Sequence, residues 1–201
     1  MKRILTLLLA AMLLVTPFCA VAEDVGEVTV EAAGLTVYLT PPLETILIAR
    51  DSSASVFNRA GLFQPQTIAY MKEWDIYALI LSETDDSWEI ALSVGESEEA
   101  DMDAVTEFST AMMCAWMEKD YEEAGYTDVK AEFFPSIGYP YIRVEAAYTL
   151  EDGYQGSIVT YYTTQSGHWL DVTLQCEGVP SEEALMAVEE IVHFIWCIPS
   201  A

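Results

Sequence analysis

The feature that most constrains the fold is an alternating pattern in the C-terminal half of the chain. From Ile142 to Tyr148 every second residue is apolar or aromatic, and Arg143 and Glu145 stand between them. A period of two is typical of a strand that buries one face. The same kind of pattern recurs twice further on, so that three consecutive strands are predicted. These strands cover residues 141–149, 157–164 and 169–177.

The links between strands predict hairpins. Residues 165–168 have a Ser-Gly centre, Ser166-Gly167, which suits a tight turn. A polar link, residues 83–87, joins the predicted strands 76–81 and 88–94 in the same way. Further strands are predicted at residues 28–30, 35–39, 46–49 and 129–134.

Four helices are predicted between and after these strands. They run from Ser52 or Ser53 to Arg59 with Gly61 behind, from near Pro65 to Glu73, from Asp103 to Ala124 before Gly125, and from Ser181, the predicted N-cap, to Trp196. Helical spacing predicts that the long third helix faces the core through Val105, Phe108, Met112, Ala115 and Trp116, and the last helix through Leu185, Val188, Val192 and Ile195. The order of elements predicts an α+β fold, an antiparallel β-sheet flanked by helices.

The N-terminus predicts export. Lys2 and Arg3 precede an apolar stretch from Ile4 to Val15, and Ala20-Val21-Ala22 is a small-x-small cleavage pattern. We therefore expect a signal peptide over residues 1–22, cleaved after Ala22, and a secreted protein. Residues 23–34 are predicted as a partly irregular segment and residues 35–201 as a single α+β domain. Lipidation at Cys19 is the alternative, and Phe18 before it is larger than such processing prefers.

The charge argues against several classes of partner. Without residues 1–22 the chain keeps six basic and all 33 acidic residues, a formal net charge of −27. A polyanion is repelled by phosphate backbones and anionic lipids, which argues against nucleic-acid binding and against membrane binding after signal cleavage. Five tryptophans and 11 tyrosines favour a packed globule over a disordered chain. The partners left open are a protein, a peptide or a glycan.

Three cysteines remain after the predicted cleavage: Cys114, Cys176 and Cys197. An odd number leaves at least one thiol unpaired within the monomer. Cys176 and Cys197 are expected at opposite ends of a strand–helix unit, since about 16 helical residues span about 24 Å. Pairing of Cys114 with Cys197 stays open.

The layout resembles a known family. The chain contains, in this order, Gly61-Leu62, a short helix, the strand over residues 76–81, the long helix, Gly138-Tyr139-x-Tyr141, Ser157-x-x-x-Tyr161 and Ser181-x-x-x-Leu185. This order resembles that of the Mog1/PsbP-like α/β/α sandwich. The chain is similar to secreted or lipoprotein members of that group from Gram-positive bacteria. The resemblance implies the sandwich fold and a non-catalytic binding or accessory module, and it carries no catalytic residue over to this chain.

Two groups of residues are candidates for binding. The segment before the long helix is rich in carboxylates, and calcium takes six to eight oxygen ligands. Its weak calcium candidates are Glu98, Glu99, Asp101 and Asp103, with helix capping as the alternative. Tyrosines in the meander are enriched as they are at recognition surfaces, although strand propensity explains them too. The binding-surface candidates are Tyr139, Tyr141, Tyr161 and Tyr162.

No catalytic residue and no cofactor is predicted. The chain has no G-x-S-x-G elbow and no glycine-rich phosphate loop, and its two histidines, His168 and His193, are not spaced as metal ligands. The competing hypotheses are an extracellular hydrolase that uses Glu145 and a second carboxylate, and a weak calcium-binding module. Two carboxyl groups about 5–10 Å apart, one with a raised pKa, would favour the hydrolase.

Overall fold

The computed structural model describes residues 27–104, 107–151 and 153–200, without the side chains of residues 107 and 108. The predicted signal peptide, Cys19 and Val105 lie outside these residues. The strands are β1 (Val28–Ala32), β2 (Leu35–Leu39), β3 (Thr45–Ala49), β4 (Ile76–Ser82), β5 (Trp88–Glu96), β6 (Thr127–Phe134), β7 (Tyr141–Thr149), β8 (Gln155–Gln165), β9 (His168–Glu177) and β10 (Trp196–Pro199). The helices are α1 (Ala54–Arg59), α2 (Gln64–Glu73), α3 (Glu107–Glu123) and α4 (Glu182–Phe194), with a 3₁₀ helix at Met102–Ala104.

A seven-stranded antiparallel sheet forms the centre of the molecule. Its strand order is β3-β4-β5-β9-β8-β7-β6. The predicted hairpin β4–β5 and the predicted meander β6 to β9 are both present, and they join where β9 pairs with β5. The central strand β9 and its neighbour β5 therefore come from parts of the chain that are far apart in sequence.

Helices cover one face of the sheet, and a mixed layer covers the other. The helical face carries α1 and α2 above β3 and β4, and α3 above β6 and β7. The opposite face packs against α4 and a second, three-stranded sheet in the order β1-β2-β10. The α+β class with an antiparallel sheet flanked by helices is thus confirmed.

Local turn chemistry agrees with the sequence predictions. Ser166 and Gly167 both have positive φ, 53° and 77°, as a two-residue hairpin turn requires. Gly61 has φ 69° directly after α1, and the amide of Leu62 donates to the carbonyl of Phe57 over 2.9 Å, which satisfies a helix-end acceptor. The first strand extends to Ala32, further than the predicted Val30.

The predicted core face of α3 is wrong. Met112, Ala115 and Trp116 are exposed, whereas Met113 and Met117 pack onto Ile142 and Val144 of β7, together with Cys114 and Tyr121. The helix carries apolar side chains on more than one side, so its spacing alone does not single out the covered stripe. The position of α3 over β6 and β7 decides it.

The last helix ends earlier than predicted, at Phe194 rather than at Trp196. The residues that follow form β10, which pairs antiparallel with β2, and the ring of Trp196 stacks on Tyr38 at 3.9 Å. Ile195 is buried as expected, but it is the residue that ends the helix. This edge strand has no alternation long enough to be recognised in the sequence.

Cys114, Cys176 and Cys197 are free thiols. Cys114 packs on the helical face of the large sheet, whereas Cys197 packs on the opposite side. The sheet separates them, so the possible Cys114–Cys197 disulfide is not formed.

The cap of α4 provides a test of local stability. Ser181 Oγ accepts a hydrogen bond from the amide of Ala184 over 3.1 Å, as predicted for an N-cap. Replacing Ser181 with alanine is expected to lower the free energy of unfolding by about 1 kcal/mol, because a helix donor loses its partner. Urea unfolding measures the change, and Ser181→Asp, which retains a capping oxygen, is the control expected to stay near the wild type.

Candidate binding cleft

A polar stripe runs down the middle of the helical face of the large sheet. Strand register aligns side chains of β5, β9 and β8 in rows: Glu89 lies opposite Gln175, and Ser93 lies opposite Asp171, which in turn lies opposite Tyr162. Between these rows Thr173 lies opposite Thr160. We call the set Glu89, Ser93, Thr160, Tyr162, Thr164, Asp171, Thr173 and Gln175 the polar stripe.

The polar stripe lies between the parts of the sheet on which α2 and α3 pack. To one side α2 packs on β4 through an apolar cluster, and to the other α3 packs on β6 and β7 through a second one. Asp171, Thr173 and Gln175 of β9 stay partly exposed between them. A sheet face that helices covered completely would favour apolar side chains, so the polar composition matches the partial access to solvent.

The neighbouring helix α3 carries an exposed aromatic side chain, Trp116. Glu118 of α3 accepts a hydrogen bond from the amide of Ala131 in the edge strand β6 over 2.9 Å. Trp116 lies about 200° from Glu118 around the helix, since successive residues are about 100° apart. The indole, 56 % exposed, is thus on the opposite side of α3 from Glu118.

A chain of hydrogen bonds crosses the stripe. Thr173 Oγ1 donates to Asp171 Oδ1 over 2.6 Å, and the Thr160 and Thr173 hydroxyl oxygens are 2.9 Å apart. Because the Thr173 proton is used on the carboxylate, Thr160 donates to Thr173. Asp171 is therefore the final acceptor in this series of hydrogen bonds.

The two ends of the stripe differ in chemistry. At one end Trp169 lies flat over Gly95 on the neighbouring strand, where a Cβ would be 2.5 Å from the indole ring. At the other end Glu89 is 7 % exposed and its Oε2 has no hydrogen-bond partner. In the part of the chain that the structure describes, no salt bridge includes Glu89 or Asp171.

Burial changes the titration of both carboxyl groups. Desolvation raises the pKa of Glu89 to about 7 and that of Asp171 to about 6, and the hydrogen bond from Thr173 partly opposes the shift at Asp171. The two groups are four register positions apart along β9, about 14 Å at about 3.4 Å per residue. That separation exceeds the about 5–10 Å of a catalytic carboxylate pair.

Removing the Thr173 hydroxyl tests the hydrogen-bond chain. In Thr173→Val we expect the pKa of Asp171 to rise above about 6, because the bond that favours the carboxylate is lost. NMR titration of the Asp171 side chain measures the change. Thr163→Val is the control, because the buried Thr163 hydroxyl on the opposite face of β8 has no partner. An unchanged pKa of Asp171 in Thr173→Val would contradict the assigned series of hydrogen bonds.

The tyrosine candidates do not form an exposed patch. Tyr161 and Tyr162 point to opposite faces of β8, as alternation requires. Tyr141 and Tyr161 are fully buried beneath α4 and the small sheet, so the prediction of a binding surface is wrong for both. Tyr139 is partly buried and accepts a hydrogen bond from the amide of Cys197 over 3.0 Å. Only Tyr162 lies in the polar stripe.

The acidic segment is tied to the end of the β8–β9 hairpin. Glu99 Oε2 accepts from the Tyr162 hydroxyl over 3.0 Å, and Asp101 Oδ1 accepts from the amide of Ser166 over 2.7 Å. Asp103 lines a different groove, and Glu98 is exposed. Among the described residues no group of three or more His, Cys, Asp or Glu side chains is placed to hold a metal ion. The four carboxylates therefore do not converge on a calcium site.

The Glu145 alternative finds a second carboxylate nearby, Glu132, but both carboxylates pair with Arg143. Arg143 Nη1 pairs with Glu145 and, at 3.3 Å, with Glu132. Its Nε donates to the Tyr161 hydroxyl over 3.0 Å, and that hydroxyl donates to Glu189 over 3.1 Å. A hydrogen bond from Lys130 lowers the pKa of Glu132. The pKa of Glu132 is thus shifted in the opposite direction from the raised pKa that the hydrolase hypothesis requires.

An apolar groove of 620 Å³ lies beside the start of α3. Met102, Phe133 and Cys114 contribute to its lining. Burial raises the pKa of the Cys114 thiol, which keeps it in the less reactive protonated form. The groove has an apolar wall and little polar chemistry, so it is a weaker candidate than the polar stripe.

The sequence contained an unused signal for the stripe. The predicted strands 88–94 and 169–177 alternate, and their polar positions include Glu89, Asp171, Thr173 and Gln175. Their polar positions mark one common face only when β5 and β9 are neighbours, and that pairing is long-range. The sequence therefore shows these residues, but it does not show that they lie side by side in the sheet.

Comparison with known proteins gives a fold and no function. No family model and no curated protein matches the chain. Among solved structures, LpqN, described as involved in cell envelope biogenesis of Mycobacterium tuberculosis, is similar with a TM-score of 0.50 and 12 % identity, over 88 % of this chain and 93 % of LpqN. At this identity the likeness shows the fold alone.

Two further solved structures match less well. PsbP (CyanoP) from Synechocystis sp. PCC 6803 has a TM-score of 0.42 and 8 % identity, over 90 % of this chain and 97 % of its own. A protein from Bacteroides thetaiotaomicron has a TM-score of 0.45 and 9 % identity over 80 % of this chain. The chain spans 44 % of that protein, less than half of its length.

Proposed function

We propose that this chain, which has the Mog1/PsbP-like α/β/α fold, is a non-catalytic binding module that works outside the cytoplasmic membrane and holds its ligand on the polar stripe. The observation that carries the proposal is the stripe itself. Hydroxyl, amide and carboxyl groups, of which Asp171, Thr173 and Gln175 are partly exposed, lie between two apolar clusters of the helical face. Side chains of this kind in a cleft are the usual means of orienting a ligand.

The shape of the stripe favours an extended ligand. Its rows follow the strands from Trp169 to Glu89, and hydrogen-bonding groups recur in almost every row. Trp169 offers an aromatic surface at one end. A peptide strand or a glycan chain matches such a line of polar groups with an aromatic platform better than a small, compact molecule does.

Two observations support a place outside the cytoplasm. The N-terminal sequence predicts a signal peptide, and LpqN, which has the same fold, is described as acting in cell envelope biogenesis. None of the helices within the described residues is long and apolar enough to cross a membrane. Fractionation of the producing cells tests the location: we expect the chain, shortened by 22 residues, in the medium or at the envelope.

Binding is tested by a thermal-shift screen of the purified protein against short peptides and cell-wall glycans. A ligand that binds only the folded state raises its stability by about 2.7 kcal/mol at a hundredfold excess over the Kd. We expect Asp171→Asn to weaken binding of the ligand found. Asp86→Asn removes the same charge from the exposed β4–β5 turn and is expected to bind as the wild type does. A ligand whose affinity is unchanged in Asp171→Asn would place binding elsewhere.

A carboxylate hydrolase is the second candidate, because Asp171 and Glu89 both have raised pKa values. Their separation argues for binding, as described above. If the wild type converted a ligand of the polar stripe to product and Asp171→Asn did not, the chain would be an enzyme instead.

A calcium-stabilised module would melt at a higher temperature in millimolar calcium than in chelator. Equal melting temperatures would exclude the calcium hypothesis.

A further inference from the structure

The Glu89 end of the polar stripe contains an unsatisfied buried acceptor. Glu89 is more than nine-tenths buried, and its Oε2 has no hydrogen-bond partner. Within the described residues no Lys, Arg or His side chain forms an ion pair with it. A buried carboxylate without a partner is costly, and such a group either takes up a proton or gains a partner of opposite charge.

Tyrosine rings lie near this carboxylate and near Gln175, the residue opposite it. Tyr70 of α2 and Tyr154 both lie within electrostatic range of Glu89. Tyr148 crosses Gly156 towards Gln175, the residue opposite Glu89, and its ring is 6.3 Å from Tyr154. The ring of Tyr126 meets that of Tyr148 edge-on at 6.2 Å. We call the set Glu89, Gln175, Tyr70, Tyr126, Tyr148 and Tyr154 the Glu89 chamber.

The chemistry of the chamber selects among ligands. Aromatic faces and a carboxylate together attract an organic cation, because the rings contribute cation–π attraction and the carboxylate supplies the opposite charge. A bare metal ion is disfavoured, since calcium needs six to eight oxygen ligands and the chamber contains one carboxylate. Anions are repelled by Glu89 and by a chain whose formal net charge is −25.

We propose that the Glu89 chamber binds an alkylammonium group, such as a lysine side chain, of a ligand whose remainder lies along the polar stripe. This assignment rests on the proposed function of the stripe as a binding surface. The ammonium group would donate to Glu89 Oε2 and lie against the tyrosine rings. The ligand is then an extended chain with a positive group at one end, and the acidic surface of the protein favours its approach.

The test is an NMR titration of the full-length protein at pH 8 with tetramethylammonium chloride and with a lysine-containing tripeptide, against sodium chloride at equal ionic strength. We expect the organic cations to shift resonances of Tyr126, Tyr148 and Tyr154, and sodium to leave them unchanged. In Glu89→Gln the affinity for both cations should fall at least tenfold. Glu177→Gln removes an exposed charge from the same strand as Gln175 and is expected to retain wild-type affinity.

The outcomes separate the two proposals. Equal shifts with tetramethylammonium and sodium, or full binding by Glu89→Gln, would overturn the ammonium site. If the tripeptide still bound in that case and Asp171→Asn still weakened it, the stripe would stand as a binding surface without the ammonium site. Loss of cation binding in Glu89→Gln, with the variant folded by its amide spectrum, supports the site.

Discussion

Replacing Glu89 with glutamine is expected to stabilise the protein at pH 8 and to leave it almost unchanged at pH 4. Burial raises the pKa of Glu89 from 4.5 to about 7, so the folded state holds the proton more tightly than the unfolded state does. Stability from this group is therefore fully present below pH 4.5 and is lost as the pH rises towards 7. Glutamine resembles the protonated acid at every pH, and its advantage above pH 7 is about 3 kcal/mol, taking about 1.4 kcal/mol per pKa unit.

The measurement is urea unfolding of wild type and Glu89→Gln at pH 4, 6 and 8. The groups that face Glu89 are Tyr70 of α2, Tyr154 before β8 and Gln175 of β9, and none of them ionises in this range, since burial also raises the pKa of both tyrosines. Glu177→Gln is the control, because Glu177 is exposed and the change should have a small effect at every pH. If the free energy of unfolding changed equally with pH in wild type and Glu89→Gln, burial of the carboxylate would not govern this pH dependence.

Replacing Gly156 with alanine is expected to be destabilising by about 1–3 kcal/mol, as overpacking of a core position usually is. A Cβ at this position would be 2.2 Å from the Tyr148 hydroxyl oxygen and 2.9 Å from the carbonyl oxygen of Cys176. The tyrosine ring is held among Tyr126 and Tyr154, and the carbonyl belongs to the neighbouring strand. Neither can move without disturbing the sheet or the Glu89 chamber.

A double-mutant cycle with Tyr148→Ala identifies the cause. If the ring is the main obstacle, the loss caused by Gly156→Ala is smaller in the Tyr148→Ala background, and the two changes are not additive. Urea unfolding of the four proteins measures the coupling. Additive losses would show that the Cys176 carbonyl, rather than the ring, restricts the position. The same Gly156→Ala variant should bind tetramethylammonium more weakly, since it displaces a wall of the chamber.

The sequence determined the local parts of this protein. The alternation of β7 and β9, the Ser166-Gly167 turn and the Ser181 cap are all present where they were predicted, because each depends on residues that are close in the chain. The order of these parts predicted the α+β class and resembles the Mog1/PsbP-like fold, and the structure and its likeness to LpqN confirm both. Periodicity also placed Tyr161 and Tyr162 on opposite faces of β8.

The tertiary structure decided which of these faces are covered. Burial of Tyr161 under α4, exposure of Trp116 on α3 and the formation of β10 each depend on a partner that is distant in sequence. The same is true of the polar stripe, because only the pairing of β5 with β9 brings Glu89 and Asp171 to one face. The period of the side chains depends on neighbouring residues, whereas their burial depends on the elements that pack on the strand or helix. The local pattern therefore does not predict burial.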